Sequence, residues 1–174
     1  MAALAPARAD LDVALHAAME AEADGLGRLA LRLLGNEADA ADALQEAWVR
    51  AWSRRADWRG DGPPGAWLRA IVARECLRAM RWRSVRRWLP FGEKLPDVEA
   101  PESGTEAGLD AERVRAVLTA LPPQQRACFT LRFYEGWTVP EIAASLDLGD
   151  ETVKTHLARA LDRVRARLGG SRGL

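Results

Sequence analysis

The sequence predicts an all-α protein made of two small helical domains joined by a flexible linker. Three observations carry this. Ala, Leu, Arg and Glu dominate, and no run alternates apolar and polar residues as a strand would. Apolar residues return at spacings of three and four in several separate stretches. Between them, Pro90, Pro96 and Pro101 with Gly92, Gly104 and Gly108 interrupt any helical period, leaving the cluster Trp88-Leu89-Pro90-Phe91 as the main apolar content of that stretch. The domains are thus bounded at 1–84 and 110–174, with 85–109 as the linker. A chain of 174 residues accommodates two such units, and a hydrophobic content of 48% supplies their cores.

Taken in order, Leu26, Leu29, Ala30 and Leu33 form one helix face, and Gly35-Asn36 ends it, the glycine suiting a left-handed cap. Asn36 or Asp39 caps the next helix, where Leu44, Trp48 and Trp52 recur every four residues and are expected to share the buried side. Trp58 to Gly65 (W-R-G-D-G-P-P-G) contains too many Gly and Pro for a regular helix. An arginine-rich helix follows over 66–82. After the linker a helix is expected over 110–121, and Pro122-Pro123 then opens another.

Thr138-Val139-Pro140-Glu141 reads as a capping box, the hydroxyl covering an exposed N–H and the carboxylate reaching back. Ile142, Ala143 and Leu146 give a short helix that stops at Asp147, a residue that tolerates the left-handed conformation. Leu148 plugs the turn. A second helix runs from about Asp150 to about Leu168 with Val153, Leu157, Ala160, Leu161, Val164 and Leu168 on one stripe. Glu151, Thr155, Ala158 and Arg159 point away from that stripe, with Thr152 and Lys154 beside them. A short helix, a tight turn and a longer helix with a polar N-terminal face is the helix-turn-helix arrangement. The N-terminal half of its second helix enters the major groove, where Lys and Arg reach phosphate or guanine, and Glu accepts from cytosine. The plainer alternative is a helical hairpin with a solvated face.

Charge agrees with a polyanionic partner once its distribution is considered. The formal net charge is zero, but from Asp61 to Pro90 there are seven Arg against two acids, from Phe91 to Glu112 seven acids against one Lys, and from Arg113 onward ten basic residues against six acidic. A basic block is a candidate phosphate-binding face, because neutralising phosphates releases counterions. Other classes find little support. No apolar run nears the roughly 20 residues of a membrane helix, and no signal-type segment opens the chain, so a cytoplasmic protein without membrane insertion is expected. Cys76, Cys128, His16 and His156 have no metal-ligand spacing, and the two cysteines are expected to be small buried apolar residues. No cluster suggests a catalytic site, so no enzyme activity, cofactor or metal is expected.

The segment from Leu121, L-P-P-Q-Q-R-A-C-F-T-L-R-F-Y-E-G-W-T-V-P-E-I-A-A-S-L-D-L-G-D-E-T-V-K-T-H-L-A-R-A, resembles region four of sigma factors, and its T-V-K-T-H-L core also resembles response-regulator output domains. Residues 36–52, N-E-A-D-A-A-D-A-L-Q-E-A-W-V-R-A-W, resemble region two of the extracytoplasmic-function sigma factors, with Ala43 smaller than usual. W-R-G-D-G-P-P-G-A-W-L-R-A-I-V-A-R resembles the stretch that follows in that family. The two motifs stand in family order and cover roughly residues 20–84 and 110–168. A response regulator would begin instead with a parallel-sheet domain.

The resemblance implies a promoter-specificity factor that binds core RNA polymerase and promoter DNA, with an anti-sigma protein as a further partner. It implies that Asp39, Asp42, Gln45, Glu46 and Arg50 face polymerase. It implies that Trp58, Arg59, Gly60, Asp61, Gly62, Trp67, Arg69 and Arg74 bind and open the minus-ten element, a flipped base repaying its lost stacking in a pocket. It implies that Arg126, Arg132, Glu151, Thr152, Lys154, Thr155, Ala158 and Arg159 read the minus-thirty-five element, Arg126 and Arg132 through phosphates. Pro63-Pro64 stiffens a loop that is usually Ser-rich, and Glu75 stands where Asn is common. Glu151 and Ala158 also depart from the usual residues. The rival expectations are a helix-turn-helix regulator that acts without replacing sigma, and a small helical enzyme or adaptor.

Overall fold

The computed structural model describes residues 8–58, 62–86 and 106–169, and every regular element among them is helical. The elements are α1 (Arg8–Leu34), α2 (Glu37–Ser53), a 3-10 turn (Arg55–Asp57), α3 (Pro64–Arg86), α4 (Glu106–Thr119), α5 (Pro123–Phe133), α6 (Val139–Leu146) and α7 (Asp150–Gly169). Most of the expected linker lies outside the described residues. At its edges α3 runs to Arg86 and α4 begins at Glu106, so helix reaches further into 85–109 from both sides than the sequence pattern marks.

Helix α1 extends far beyond the Leu26–Leu34 face, back to Arg8, and buries Leu15 as well as Leu26, Leu29, Ala30 and Leu33. It ends as expected at Gly35, whose φ of 81° is left-handed and whose N–H donates to the Leu31 carbonyl at 2.7 Å. Asn36 then caps α2 by accepting from the Asp39 N–H at 2.9 Å. The buried stripe of α2 is Ala40, Ala43, Ala47 and Ala51, which packs on α1 and α3. The expected Leu44–Trp48–Trp52 stripe is therefore corrected. Leu44 and Trp48 lie only partly buried at the margin, and Trp52 is 47% exposed with Arg55 stacked 4.7 Å over its ring. Spacing four precesses by about 40° each step, so Trp52 rotates out of the face that Leu44 borders.

In the second half, Pro123 opens α5, Trp137 N–H closes the next turn onto the Leu131 carbonyl at 3.0 Å, and α7 packs on α4, α5 and α6. A small cluster of Leu118, Leu121, Phe129 and Ala160 holds α4, α5 and α7 together. The larger core crosses between the halves. Leu68, Val72, Cys76 and Leu77 of α3 belong to one cluster with Leu131, Ile142, Leu146, Val153 and Leu157. Each fully buried leucine in it contributes roughly 1.5–3 kcal/mol. Cys76 and Cys128 are free and fully buried, and burial pushes their thiols up to about 12 and about 11. No helix among the described residues is long and apolar enough to cross a membrane.

Candidate nucleic-acid interface

The helix-turn-helix is built from local chemistry. Thr138 accepts from the Glu141 N–H, while Glu141 Oε2 takes the Thr138 N–H and hydroxyl, each at 2.7 Å. These two hydrogen bonds hold the exposed Glu141 carboxyl below the usual carboxylate range. Asp147 ends α6 at φ 56° and ψ 53°, the left-handed conformation. The Leu148 N–H donates back to the Ala143 carbonyl at 2.9 Å, and its side chain packs on the core. Val153, Leu157 and Ala160 are buried, which fixes the rotation of α7.

That rotation leaves Glu151, Thr152, Lys154, Thr155, Ala158 and Arg159 exposed on one face, as the spacing expects. Glu151 holds the Lys154 ammonium at 2.6 Å, and this hydrogen bond raises the lysine further. The Thr155 hydroxyl donates to the Glu151 carbonyl at 2.8 Å. His156 sits at the margin, where burial first and then the charges of Arg159 and Arg81 hold it below the ordinary histidine value. Arg132 is exposed and donates to the Trp137 carbonyl at 2.9 Å. Arg126 is set apart from the others. It is 6% exposed and lies between α5 and α1, with Nη2 at 3.4 Å from the Arg32 carbonyl.

The α3 side is only partly open. Trp58 and Trp67 pack against the core, Gly62 is exposed, and Arg59, Gly60 and Asp61 lie outside the described residues. Arg69 faces Glu22 at 3.8 Å. Arg74 is spent across the seam, with Nε donating to the Ser145 carbonyl at 2.5 Å and Nη2 to the Ala144 carbonyl at 3.2 Å, both at the C-terminal end of α6. Beside it opens a cavity of about 280 Å³ lined by Arg50, Arg54, Arg74, Arg78 and Arg81, with Asp57, Glu75, Trp67 and Leu146. Glu75 is 4% exposed and pairs through Oε1 with Arg50 at 2.6 Å and Arg78 at 2.7 Å. Five guanidiniums against two carboxylates leave the cavity positive.

On α2, Asp42, Gln45 and Glu46 are exposed on the outer face. Asp39 pairs with Arg83 and with the Asn36 amide, and Arg50 is held by Glu75, so these two are tied into the fold. Val49 and Trp52, 62% and 47% exposed, join the outer face. The sequence reading missed both as surface residues. The signal that finds them is the alanine stripe, because the helix period puts its opposite side at Asp42, Gln45, Val49 and Trp52.

Comparison with known proteins matches both halves. Residues 19–87 match the family described as Sigma-70 region 2, and residues 111–164 match Sigma-70, region 4. The RNA polymerase sigma-E factor of Streptomyces avermitilis is 36% identical over 148 residues, covering 83% of this chain and 79% of that one. The ECF RNA polymerase sigma factor SigL of Mycobacterium tuberculosis is 30% identical over 172 residues, covering 97% and 96%. The sigma factor RpoE of Bartonella quintana, solved in complex with the anti-sigma factor NepR, shares the fold at a TM-score of 0.69 and 23% identity, covering 88% of this chain and 96% of that one. Two sigma regions in their proper order, over relatives matched along most of their length, show that the chain belongs to the extracytoplasmic-function sigma factors, which direct RNA polymerase to promoters.

Proposed function

We propose that this sigma factor divides its work between a module over 1–84, a tether over 85–109 and a module over 110–174. The outer face of α2 docks on core RNA polymerase. Asp42, Gln45 and Glu46 supply the polar contacts, and Val49 and Trp52 supply apolar area that docking buries. Asp39 and Arg50 shape that face from behind through Arg83 and Glu75. The N-terminal half of α7 reads the minus-thirty-five element, with Glu151, Thr152, Lys154, Thr155, Ala158 and Arg159 toward the groove and Arg132 toward phosphate. The Trp58–Gly62 segment with Trp67, Arg69 and Arg74 binds and helps melt the minus-ten element, stacking and charge neutralisation repaying the lost base stacking. The protein works in the cytoplasm, catalyses no covalent step itself, and is a candidate for control by an anti-sigma protein, as RpoE is bound by NepR.

The observation that carries this reading is one chain presenting an exposed acidic-apolar face on α2 and a capped helix-turn-helix with an exposed polar face on α7. Run-off transcription with purified core polymerase and a promoter fragment library tests it, with promoter-dependent transcripts expected only when the chain is present. Asp42→Arg with Glu46→Arg should lower capture of core polymerase at least about tenfold, since like charges then meet the partner's basic groups. The circular dichroism spectrum should stay unchanged, because both residues are exposed. Undiminished capture would remove α2 from the docking face.

A further inference from the structure

The cavity beside Glu75 has a chemistry that follows from helix spacing. Trp67, Ile71, Arg74, Arg78 and Arg81 recur at intervals of four and three, so they form one stripe of α3, and Arg50 and Arg54 line the cavity from the end of α2. Among the described residues Leu146 is the one lining residue from the second half, so the cavity's charge belongs to α2, the turn after it and α3. The stripe changes character along its length. Its N-terminal end is aromatic and apolar, and its C-terminal end is cationic. The rise from Trp67 to Arg74 is about 10 Å.

The cations are incompletely matched. One oxygen of Glu75 takes both Arg50 and Arg78, and Asp57 takes Arg54. Arg74 donates to neutral carbonyls. Arg81 is exposed and pairs with no carboxylate among the described residues. Two carboxylates thus leave an excess of positive charge on the wall, which a bound anion would offset. Glu75 also sets the Arg50 and Arg78 forks before any ligand arrives, which lowers the ordering cost of binding.

We propose that this cavity binds a nucleoside diphosphate, its base against Trp67 and Ile71 and its diphosphate among Arg50, Arg78 and Arg81. Size and charge density favour a small molecule over a strand. The volume of about 280 Å³ stands at the lower end of ligand pockets. A strand spaces single charges along its length, whereas a diphosphate concentrates them on two adjacent groups. Trp67 and Arg74 also belong to the minus-ten reading, so a strand is the rival occupant and forms one arm of the test. The site itself does not depend on that reading, because the chain alone is titrated.

Isothermal titration calorimetry of the full chain with ADP and with GDP should show one site, and saturating ligand should raise Tm. Sulfate at matched ionic strength should bind more weakly. Arg81→Gln, at an exposed position, should weaken ADP about tenfold or more, since a charged hydrogen bond is lost. Asp57→Asn, 54% exposed, removes an acid from the wall and should tighten ADP by about two- to fivefold. Arg165→Gln, 74% exposed near the end of α7 and outside the cavity, should leave the affinity unchanged. Circular dichroism should be the same for all three variants. Sulfate binding as tightly as ADP, or Arg165→Gln costing as much as Arg81→Gln, would reduce the effect to general charge and overturn the proposal. So would the absence of a saturable site. A short single-stranded oligonucleotide that binds more tightly than ADP and is equally sensitive to Arg81→Gln would give the cavity to the promoter strand instead. Run-off transcription is scored separately, so loss of the diphosphate site leaves the promoter reading standing.

Discussion

Glu75 and Arg126 are both charged and both taken into the core, yet their surroundings differ in kind. Among the described residues, Glu75 meets two guanidiniums at hydrogen-bond distance, while Arg126 meets one carbonyl and another cation. Sequence marks neither as buried, because Glu75 stands among arginines, Arg126 follows two glutamines, and the partners lie up to 94 residues away. Two glycines show the converse, where one residue is legible and its cost is not. Gly35 and Gly136 both have positive φ, 81° and 73°. A Cβ on Gly136 meets nothing within 4 Å, so Gly136→Ala should cost only the left-handed strain of about 1–2 kcal/mol. A Cβ on Gly35 lies 2.9 Å from Arg126 Nη2 and 3.1 Å from Thr119 Cγ2, so Gly35→Ala should cost more. Urea midpoints of the two variants check the order. Equal losses would show that the corner at Gly35 has room to relax.

At the scale of elements, the second half was the more legible. Capping box, left-handed Asp147 and buried stripe are set within a few residues of chain, so the helix-turn-helix and the exposed face of α7 follow from the order of side chains alone. Thr138→Ala should cost about 1 kcal/mol, measured by urea denaturation. Because the Glu141 carboxyl is held below its unfolded value, its contribution is present above the ordinary carboxylate range and is lost as pH falls through the folded value. Glu141→Gln should therefore lower Tm at pH 7 and make progressively less difference as the solution is acidified; the same loss throughout would assign the cap to geometry rather than charge. His156 has the opposite chemistry with the same outcome. It is depressed, so protonation works against the fold as pH falls through the ordinary histidine value. The first half was less legible. The Leu26–Leu34 face marks only the last third of α1, and Gly25 breaks the apparent pattern just ahead of it. Ahead of that face α1 is anchored by the buried Leu15, and the helix packs against α2 and α3.

For the whole molecule, a net charge of zero makes promoter binding depend on where charge lies. Affinity for a matched promoter fragment should fall with salt even so, because only local cations meet phosphates. Arg159→Ala should cost about 1–3 kcal/mol with relaxed preference at one base pair if it reads a base, or reduce the salt slope by about 1 if it holds a phosphate. Titrations at several salt concentrations separate these outcomes, and no change in either would turn Arg159 to solvent. The order of side chains by itself determined the all-helical class, the caps and turns, the exposed polar face of α7 and the family, because each is written within a few turns of helix or in a contiguous motif. Only the tertiary structure decided that an alanine stripe rather than the tryptophans packs α2, that Trp52 and Val49 reach the surface, and that Arg74 and Arg126 meet carbonyls of the opposite half. Those outcomes depend on which distant surfaces come together, and a guanidinium carries no local mark of whether its partner will be a phosphate, a carboxylate or the end of another helix.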